Sequence, residues 1–352
     1  MLTGPFELEV NVGGESEPGA TDQRAFVARL DISGAVQSLS SLGSTSGDDV
    51  PFAIADSPNG WVMVGLYQGD IQFGMLTVVP TGDTVPAGFV AAKDSTADWI
   101  TAIGSGADAA PQVVRDIAVD TSGRVVAVGE TVGPLTIGFP EPSFSGSPHA
   151  FVMALLQGGE PGWLRSAGGS GQTRAWSVAV ADDGSTLVAG QFTGSFAFEE
   201  QEEVAAFDEK SDAFVAELDP DGEVLWVTIV TGPGQQIASA VDTVDERVVV
   251  VGQTDGPVDV AGVRVLEPPG PSGFVLVFDG SGEVIASTLA TASIHAELGF
   301  VTTVSDTTQV VVAGGFKGAD LTFHGLPVPD ATVSPHDQVF AASLMLPAPD
   351  AR

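Results

Sequence analysis

Short apolar segments separated by polar turns run along the whole chain, and the clearest example lies in residues 173–231. Within it, residues 176–180, 186–191, 212–218 and 223–229 are rich in Val, Ala, Phe or Ile and are bounded by Gly, Asp or Pro. Apolar runs of roughly four to eight residues between such turns are typical of β-strands. No segment keeps the period of an amphipathic helix, so the pattern predicts an all-β protein.

The turns share a chemical signature, Asp-x-x-Gly, which occurs once within residues 173–231 and recurs elsewhere in the chain. An Asp at the first position accepts hydrogen bonds from the turn backbone, and Gly at the fourth position takes the conformation that other residues avoid. These segments are therefore predicted to be tight turns of type I. Examples are 31–34, 120–123, 219–222 and 279–282.

Two landmarks recur with nearly the same period. One is a Phe inside an apolar phrase, with spacings of 63, 62, 63, 60 and 66 residues, and the other is a Gly that ends an apolar run, with spacings of 64, 61, 62 and 62. Their agreement indicates an internal repeat, with units 1–65, 66–129, 130–190, 191–252, 253–314 and a partial 315–352. The landmarks are Phe26, Phe89, Phe151, Phe214, Phe274 and Phe340, and Gly65, Gly129, Gly190, Gly252 and Gly314.

Four antiparallel strands in each repeat predict one β-propeller domain over residues 1–352. The extra length of each repeat lies between its second and third strands, as in 194–211 and 256–272, and predicts an added hairpin or edge strand on one rim. Six Phe landmarks against five Gly landmarks leave five to seven blades, with six preferred. The chain is expected to open inside an insert at residues 3–5. Its first part-repeat then either completes the last blade by strand exchange or marks a chain cut from a longer repeat protein.

The strand phrases also resemble a known family. Residues 178–194 contain Val-Ala-Val followed by Val-Ala-Gly-Gln-Phe-x-Gly, and residues 212–226 read Asp-Ala-Phe-Val-Ala-x-Leu-Asp-x-x-Gly-x-Val-x-Trp. This succession is similar to bacterial SBBP-type β-propeller repeats, which are common in large secreted and surface proteins, including those of myxobacteria. The resemblance covers nearly the whole chain and is strongest over 113–231. It implies a propeller fold and an extracytoplasmic location, and it transfers no functional residue.

Three tryptophans lie at equivalent positions of the fourth strands. Trp99, Trp163 and Trp226 follow their repeat's Phe by 10, 12 and 12 residues. A ring at this position either stacks on a sugar or packs between adjacent sheets. Packing is preferred, because large aromatic side chains supply much of the apolar burial in small sheets.

Composition narrows the classes of function. The 352 residues include 46 Asp and Glu against 12 Lys and Arg, which gives a net charge of −34, and no Cys. The absence of Cys excludes disulfides, thiolate catalysis and cysteine-bound metal centres. A strongly acidic chain is also a poor ligand for nucleic acid, because such binding depends on Lys and Arg. The strand phrases are nearly uncharged, so the acids are expected on turns and inserts, forming a negative rim.

Targeting signals are not evident. No apolar run approaches the roughly 18–20 residues that a membrane-spanning helix needs. Residues 1–6 lack the basic and apolar regions of a signal peptide. The chain is therefore either cytoplasmic or a mature or truncated form whose leader lies outside it. The family resemblance favours the second interpretation, an extracytoplasmic protein.

Acidic inserts are the strongest candidates for a metal site. Calcium takes roughly six to eight oxygen ligands, and one insert contains a dense group of carboxylates. The alternative, a repulsive solvated rim, is preferred. A histidine site is a weaker candidate, since His324 and His336 share an insert with Asp330 and Asp337, while His149 and His295 stand apart. The candidate calcium ligands are Glu199, Glu200, Glu202, Glu203, Asp208 and Glu209.

No catalytic motif stands out, so two functions remain. The first is a non-enzymatic extracytoplasmic scaffold that binds a protein or a surface glycan, with no cofactor except a candidate Ca²⁺. The alternative is a propeller-type glycan hydrolase or lyase with carboxylates at the mouth of the channel. Its candidates are Asp116, Asp242 and Glu297, which do not occupy matching places in every repeat.

Overall fold

The computed structural model describes the protein as strands and turns. It covers residues 1–7, 9–18, 23–44, 47–73, 75–78, 87–95, 97–104, 112–133, 135, 137, 148–199, 201–304, 307–318, 320–327 and 334–346, without the side chains of 44 and 334–337. These residues form 32 β-strands and no α-helix, which confirms the predicted all-β class. Accordingly, none of them builds an apolar helix of membrane-spanning length. The chain divides into two compact units, Met1–Ser166 and Ala167–Arg352.

Unit 1 contains antiparallel sheets and one isolated hairpin. In the order of their hydrogen bonding, the first sheet is β1 (Leu2–Phe6), β4 (Arg24–Leu30), β5 (Val36–Ser44), β8 (Ile71–Phe73) and β9 (Leu76–Val78). The second is β11 (Trp99–Ile103), β10 (Ala87–Asp94), β7 (Gly60–Tyr67) and β6 (Val50–Ser57). The third begins with β12 (Gln112–Val119), β13 (Val125–Thr131), β14 (His149–Leu155) and β15 (Pro161–Gly168). The hairpin is β2 (Glu9–Val12) with β3 (Glu15–Pro18).

Unit 2 repeats this plan. One sheet is β16 (Thr173–Val180), β17 (Thr186–Phe192), β20 (Asp212–Leu218), β21 (Val224–Thr231), β24 (Val258–Val260) and β25 (Val263–Leu266). The next is β22 (Gln236–Val244), β23 (Arg247–Thr254), β26 (Ser272–Phe278), β27 (Val284–Thr291), β30 (Thr322–Phe323) and β31 (Leu326–Pro327). The last sheet is β28 (His295–Thr303), β29 (Gln309–Gly318) and β32 (Ser334–Met345). The hairpin of β18 (Ser195–Phe198) and β19 (Val204–Ala205) belongs to another sheet, where β18 pairs with Ala167 and Gly168 at the end of β15.

The predicted strand order within a repeat is confirmed. First, second, third and fourth strands lie side by side, as in β16, β17, β20 and β21. The predicted Asp-x-x-Gly turns also form: the Gly222 amide donates to the Asp219 carbonyl at 2.9 Å, and the Asp219 carboxylate accepts from the amides of Asp221 and Glu223. Local turn chemistry therefore sets the hairpin between the third and fourth strands.

The insert hairpins extend a different sheet from the one their own repeat builds. Each pairs with the fourth strand of the preceding repeat: β8 with β5, β24 with β21, and β30 with β27. Each junction involves only two residue pairs, for example Val230 with Val260 and Thr231 with Asp259. The extra length that lengthens the period thus links consecutive sheets.

The two sequence landmarks meet in one contact. In the β-ladders each landmark Gly lies directly opposite the landmark Phe of its repeat. The observed pairs are Gly65 with Phe89, Gly129 with Phe151, Gly190 with Phe214, Gly252 with Phe274 and Gly314 with Phe340. The rings of Phe89, Phe151, Phe214 and Phe274 are fully buried. A side chain on the glycine would occupy the place of the ring, so the residue types constrain each other.

The expectation that the chain opens inside an insert is wrong. Residues 2–6 form β1, which pairs with the third strand β4 and places Gly4 opposite Phe26. Gly4 is therefore a sixth copy of the second-strand glycine. It was missed because Pro5 follows it, and a Gly-Pro pair also starts the inserts at Gly133 and Gly256.

Every described first strand contains a β-bulge at the same place. The register shifts across Phe52, Arg115, Trp176, Ser239 and Gly299. In unit 2 the residues after the bulge connect neighbouring sheets. The Val241 amide donates to Ser177 Oγ at 3.3 Å, and the Thr303 amide donates to Asp242 Oδ2 at 2.7 Å. First strands of successive sheets are thus joined by side chain–backbone hydrogen bonds as well as by apolar packing.

Candidate functional site

The acidic insert, residues 194–211, contains the hairpin of β18 and β19, and its residues 199, 201–205 and 207–210 are exposed. Its described calcium candidates, Glu199, Glu202, Glu203, Asp208 and Glu209, are all exposed, whereas Glu200 lies outside the described residues. The expectation that the acids of this segment lie on the surface is confirmed for those five. They follow β18, where Phe196 and Phe198 are buried beneath the exposed turn.

Two of these carboxylates hold the local backbone together. Glu203 accepts a short hydrogen bond from Ser195 Oγ, and Ser195 Oγ in turn accepts from the Ser170 amide at 2.8 Å. Asp208 accepts from the amides of Lys210 at 2.7 Å and Gly234 at 3.1 Å. These bonds, the Lys210 amide first, lower the pKa of the Asp208 carboxyl. Its negative charge therefore stabilises the loop.

The metal candidates do not converge in the described part of the chain. Among those residues, no group of three or more His, Asp or Glu side chains has the arrangement of a metal site. His324 Nδ1 lies 2.9 Å from Thr288 Oγ1, and His295 Nε2 lies 3.3 Å from Glu297. Asp330 and the side chains of His336 and Asp337 lie outside the described residues.

The carboxylates proposed for a glycan-cleaving channel occupy different levels of their strands. Asp116 directly follows its bulge and accepts from the Ile117 amide at 2.8 Å. Asp242 lies further along its strand and accepts from the amides of Thr243 and Thr303, while burial raises the pKa of its carboxyl. Glu297 precedes its bulge and contacts His295. Asp242 thus joins two sheets, and the three residues do not repeat one structural position.

Asp212 is a buried carboxyl that the sequence did not single out. It is 2% exposed at the start of β20, and its Oδ2 accepts from the Phe207 amide at 2.6 Å. Burial raises the pKa of this carboxyl from 3.8 to about 6, although hydrogen bonds from the amides of Phe207 and Gly232 oppose the shift. The equivalent residues of other repeats, such as His149 and Ser272, are not acidic, so the repeat pattern gave no signal for it.

We expect Asp212 to make stability depend on pH. Its folded-state pKa of about 6 lies above the ordinary 3.8, so the folded protein binds the proton more tightly than the unfolded chain does. The stability it contributes is present below pH ~3.8 and is lost as the pH rises through ~6. Wild type should lose about 1–2 kcal/mol relative to Asp212→Asn between pH 5 and pH 8, measured by urea unfolding.

Asp183→Asn is the matched control for this measurement. Hydrogen bonds from Ser185 lower the pKa of Asp183 below its ordinary 3.8, so its contribution is lost only at more acidic pH, and between pH 5 and pH 8 its difference profile should be flat. If the profiles of the two variants relative to wild type have the same slope, Asp212 does not titrate as assigned.

The fourth-strand tryptophans are packing residues where their surroundings are described. Trp226 stacks on Phe278 of the next sheet, with ring centroids 6.2 Å apart, and its Nε1 donates to Glu217 at 2.6 Å. A Cβ on Gly282 would lie 2.7 Å from the same indole, and one on Gly159 would lie 2.7 Å from Trp99. Each indole thus covers a turn glycine of the next repeat, which favours packing over sugar stacking.

The chain matches no protein-family model and no curated protein.

Proposed function

We propose that this chain is a non-enzymatic binding scaffold with a β-propeller architecture of about six blades, related to the SBBP-type repeats and working outside the cytoplasm. Its partner is a protein or a surface polysaccharide. Four repeats with the complete four-strand plan, two with three of its strands, six Gly–Phe pairs and contacts between consecutive sheets within each unit support a blade-like arrangement. Rigid sheets that carry variable hairpins are a common platform for binding.

The exposed insert hairpins are the observation that carries this proposal. Their outer strands in unit 2 each present one apolar side chain to solvent: Val204 is 40%, Val263 64% and Leu326 67% exposed. In the acidic insert such a residue lies beside Glu202 and Glu203. Apolar side chains next to charges, at the free edge of a sheet, favour contact with a partner.

The positions and hydrogen-bond partners of Asp242 and Glu297 favour a binding scaffold over a glycan-cleaving enzyme. Asp242 uses both oxygens to accept backbone amides, one of them from a neighbouring sheet. A general acid in a glycosidase acts together with a second carboxylate across the scissile bond. Asp242 and Glu297 instead lie at different levels of adjacent strands, each with its own partner.

Binding to defined ligands tests the proposal. The protein is applied to an array of neutral, anionic and cationic glycans and to a Lys-rich peptide, and the same glycans are assayed for cleavage. We expect binding without turnover, weakened at least tenfold by Glu199→Gln/Glu202→Gln/Glu209→Gln. The matched control, Glu7→Gln/Glu9→Gln/Glu15→Gln, neutralises three exposed acids of the first hairpin region and should change affinity less than threefold. Glycan turnover that Asp242→Asn abolishes would overturn the scaffold and favour the hydrolase or lyase.

A further inference from the structure

A cavity of about 320 Å³ lies between the last two sheets of unit 2. Its walls come from β26, β27, the hairpin of β30 and β31, and the end of β32, and are mostly apolar, with hydroxyl groups and one imidazole among them. The apolar lining includes Val275, Val277, Ala286, Phe323, Leu344 and Leu346. The lining residues include no carboxylate, which is unusual for so acidic a chain.

The repeat explains why the cavity is there. In the preceding repeat, Trp226 lies opposite Glu217 in the ladder and stacks on Phe278 of the next sheet. The same ladder position one repeat later is Ala286, opposite Val277. The cavity thus occupies the place that an indole fills between the previous pair of sheets.

The facing sheet keeps its apolar surface. Leu344 follows Phe340 by four residues, as Phe278 follows Phe274, and it lines the cavity. The polar partner of the indole has also changed, because Val277 replaces Glu217. A ring entering this space would meet aliphatic walls, with Phe323 on one side.

The polar groups are hydroxyls and an imidazole. Thr228 in the preceding repeat donates to the Gly282 carbonyl of the next sheet at 2.9 Å. Its counterpart Thr288 instead lies 2.9 Å from His324 Nδ1. Ser343 accepts from Gln309 at 2.6 Å. These groups are hydrogen-bonding partners, and because the lining includes no carboxylate they suit an uncharged ligand that has one polar atom.

We propose that this cavity binds the ring of an uncharged aromatic small molecule of about the size of indole. Apolar cavities of about 150 Å³ already accept benzene, and ligand pockets start at about 300 Å³. The site goes beyond the scaffold function and does not depend on it.

Indole is the probe, and its binding to the full chain is measured by calorimetry and ligand-observed NMR. For nine non-hydrogen atoms in a mostly apolar site, a dissociation constant of about 0.1–1 mM is expected. Ala286→Trp, which restores the residue of the preceding repeat, should weaken binding at least tenfold and raise the melting temperature.

Ile285→Trp is the control, because Ile285 is 52% exposed and does not line the cavity. It should change indole affinity less than twofold. The proposal is overturned if wild type does not bind indole, or if Ala286→Trp binds it as wild type does. It is also overturned if only a variant ending at Leu346 binds, since residues 347–352 would then be the occupant.

Discussion

Replacing Gly252 by Ala is expected to destabilise the folded protein by about 3 kcal/mol or more, which is large for one methyl group. A Cβ at this position would collide with the Ile237 carbonyl oxygen of the first strand and lie 2.7 Å from Phe274 Cζ. The oxygen belongs to the backbone of β22 and Phe274 is fully buried. Neither can yield without disturbing the ladder, so the cost is high. Equilibrium unfolding in urea measures it.

Gly299→Ala is the matched control, because Gly299 is also a strand glycine and a Cβ there would meet no atom within 4 Å. Its expected effect is within about 0.5 kcal/mol of zero. A cost for Gly252→Ala as small as that of Gly299→Ala would show that the Gly–Phe contact does not constrain the fold.

Gly282→Ala is expected to cost about 3 kcal/mol for a different reason. Gly282 has a φ of 78°, in the left-handed region, where a side chain costs about 1–2 kcal/mol. Its added Cβ would also lie 2.7 Å from Trp226 Cδ2 and Cε3. The indole, stacked on Phe278, has little room to withdraw. Thermal unfolding measures the cost, and Trp fluorescence reports the displaced ring.

Gly123→Ala separates the two contributions. Gly123 has a φ of 86° in the same type of turn, but a Cβ there would meet nothing within 4 Å. Only the backbone cost of about 1–2 kcal/mol is expected. In a Trp226→Ala background, Gly282→Ala should cost no more than Gly123→Ala does. An unchanged cost in that background would rule out the contact with Trp226 as its cause.

The Gly–Phe pairs show why the repeat was visible in the sequence. Two residue types that looked like independent landmarks are the two sides of one cross-strand contact, made once in each repeat. Each Phe covers its glycine, so a change of either residue exposes or crowds the other. Such mutual constraint keeps both positions recognisable while the inserts between them differ in length and charge.

The candidate site was predicted less completely. Five exposed acids of the insert followed from composition, because charged side chains between apolar strands remain in water. Asp212 did not, since its pKa depends on burial by residues distant in sequence and on amides supplied by the loop. The cavity at Ala286 was likewise invisible, because an alanine in a strand gives no local sign that a neighbouring repeat has Trp there.

The sequence by itself determined the strands, their turns and the period of the repeat. These features depend on local physics: the alternation of apolar and polar residues, the Asp-x-x-Gly turns and the pairing of residues within one hairpin. Only the tertiary structure decided that insert hairpins add to the preceding sheet and that Gly4 lies in a second strand. The exposed edge that a hairpin joins is defined by hydrogen-bonding groups of another repeat, and nothing within the hairpin's own residues specifies it.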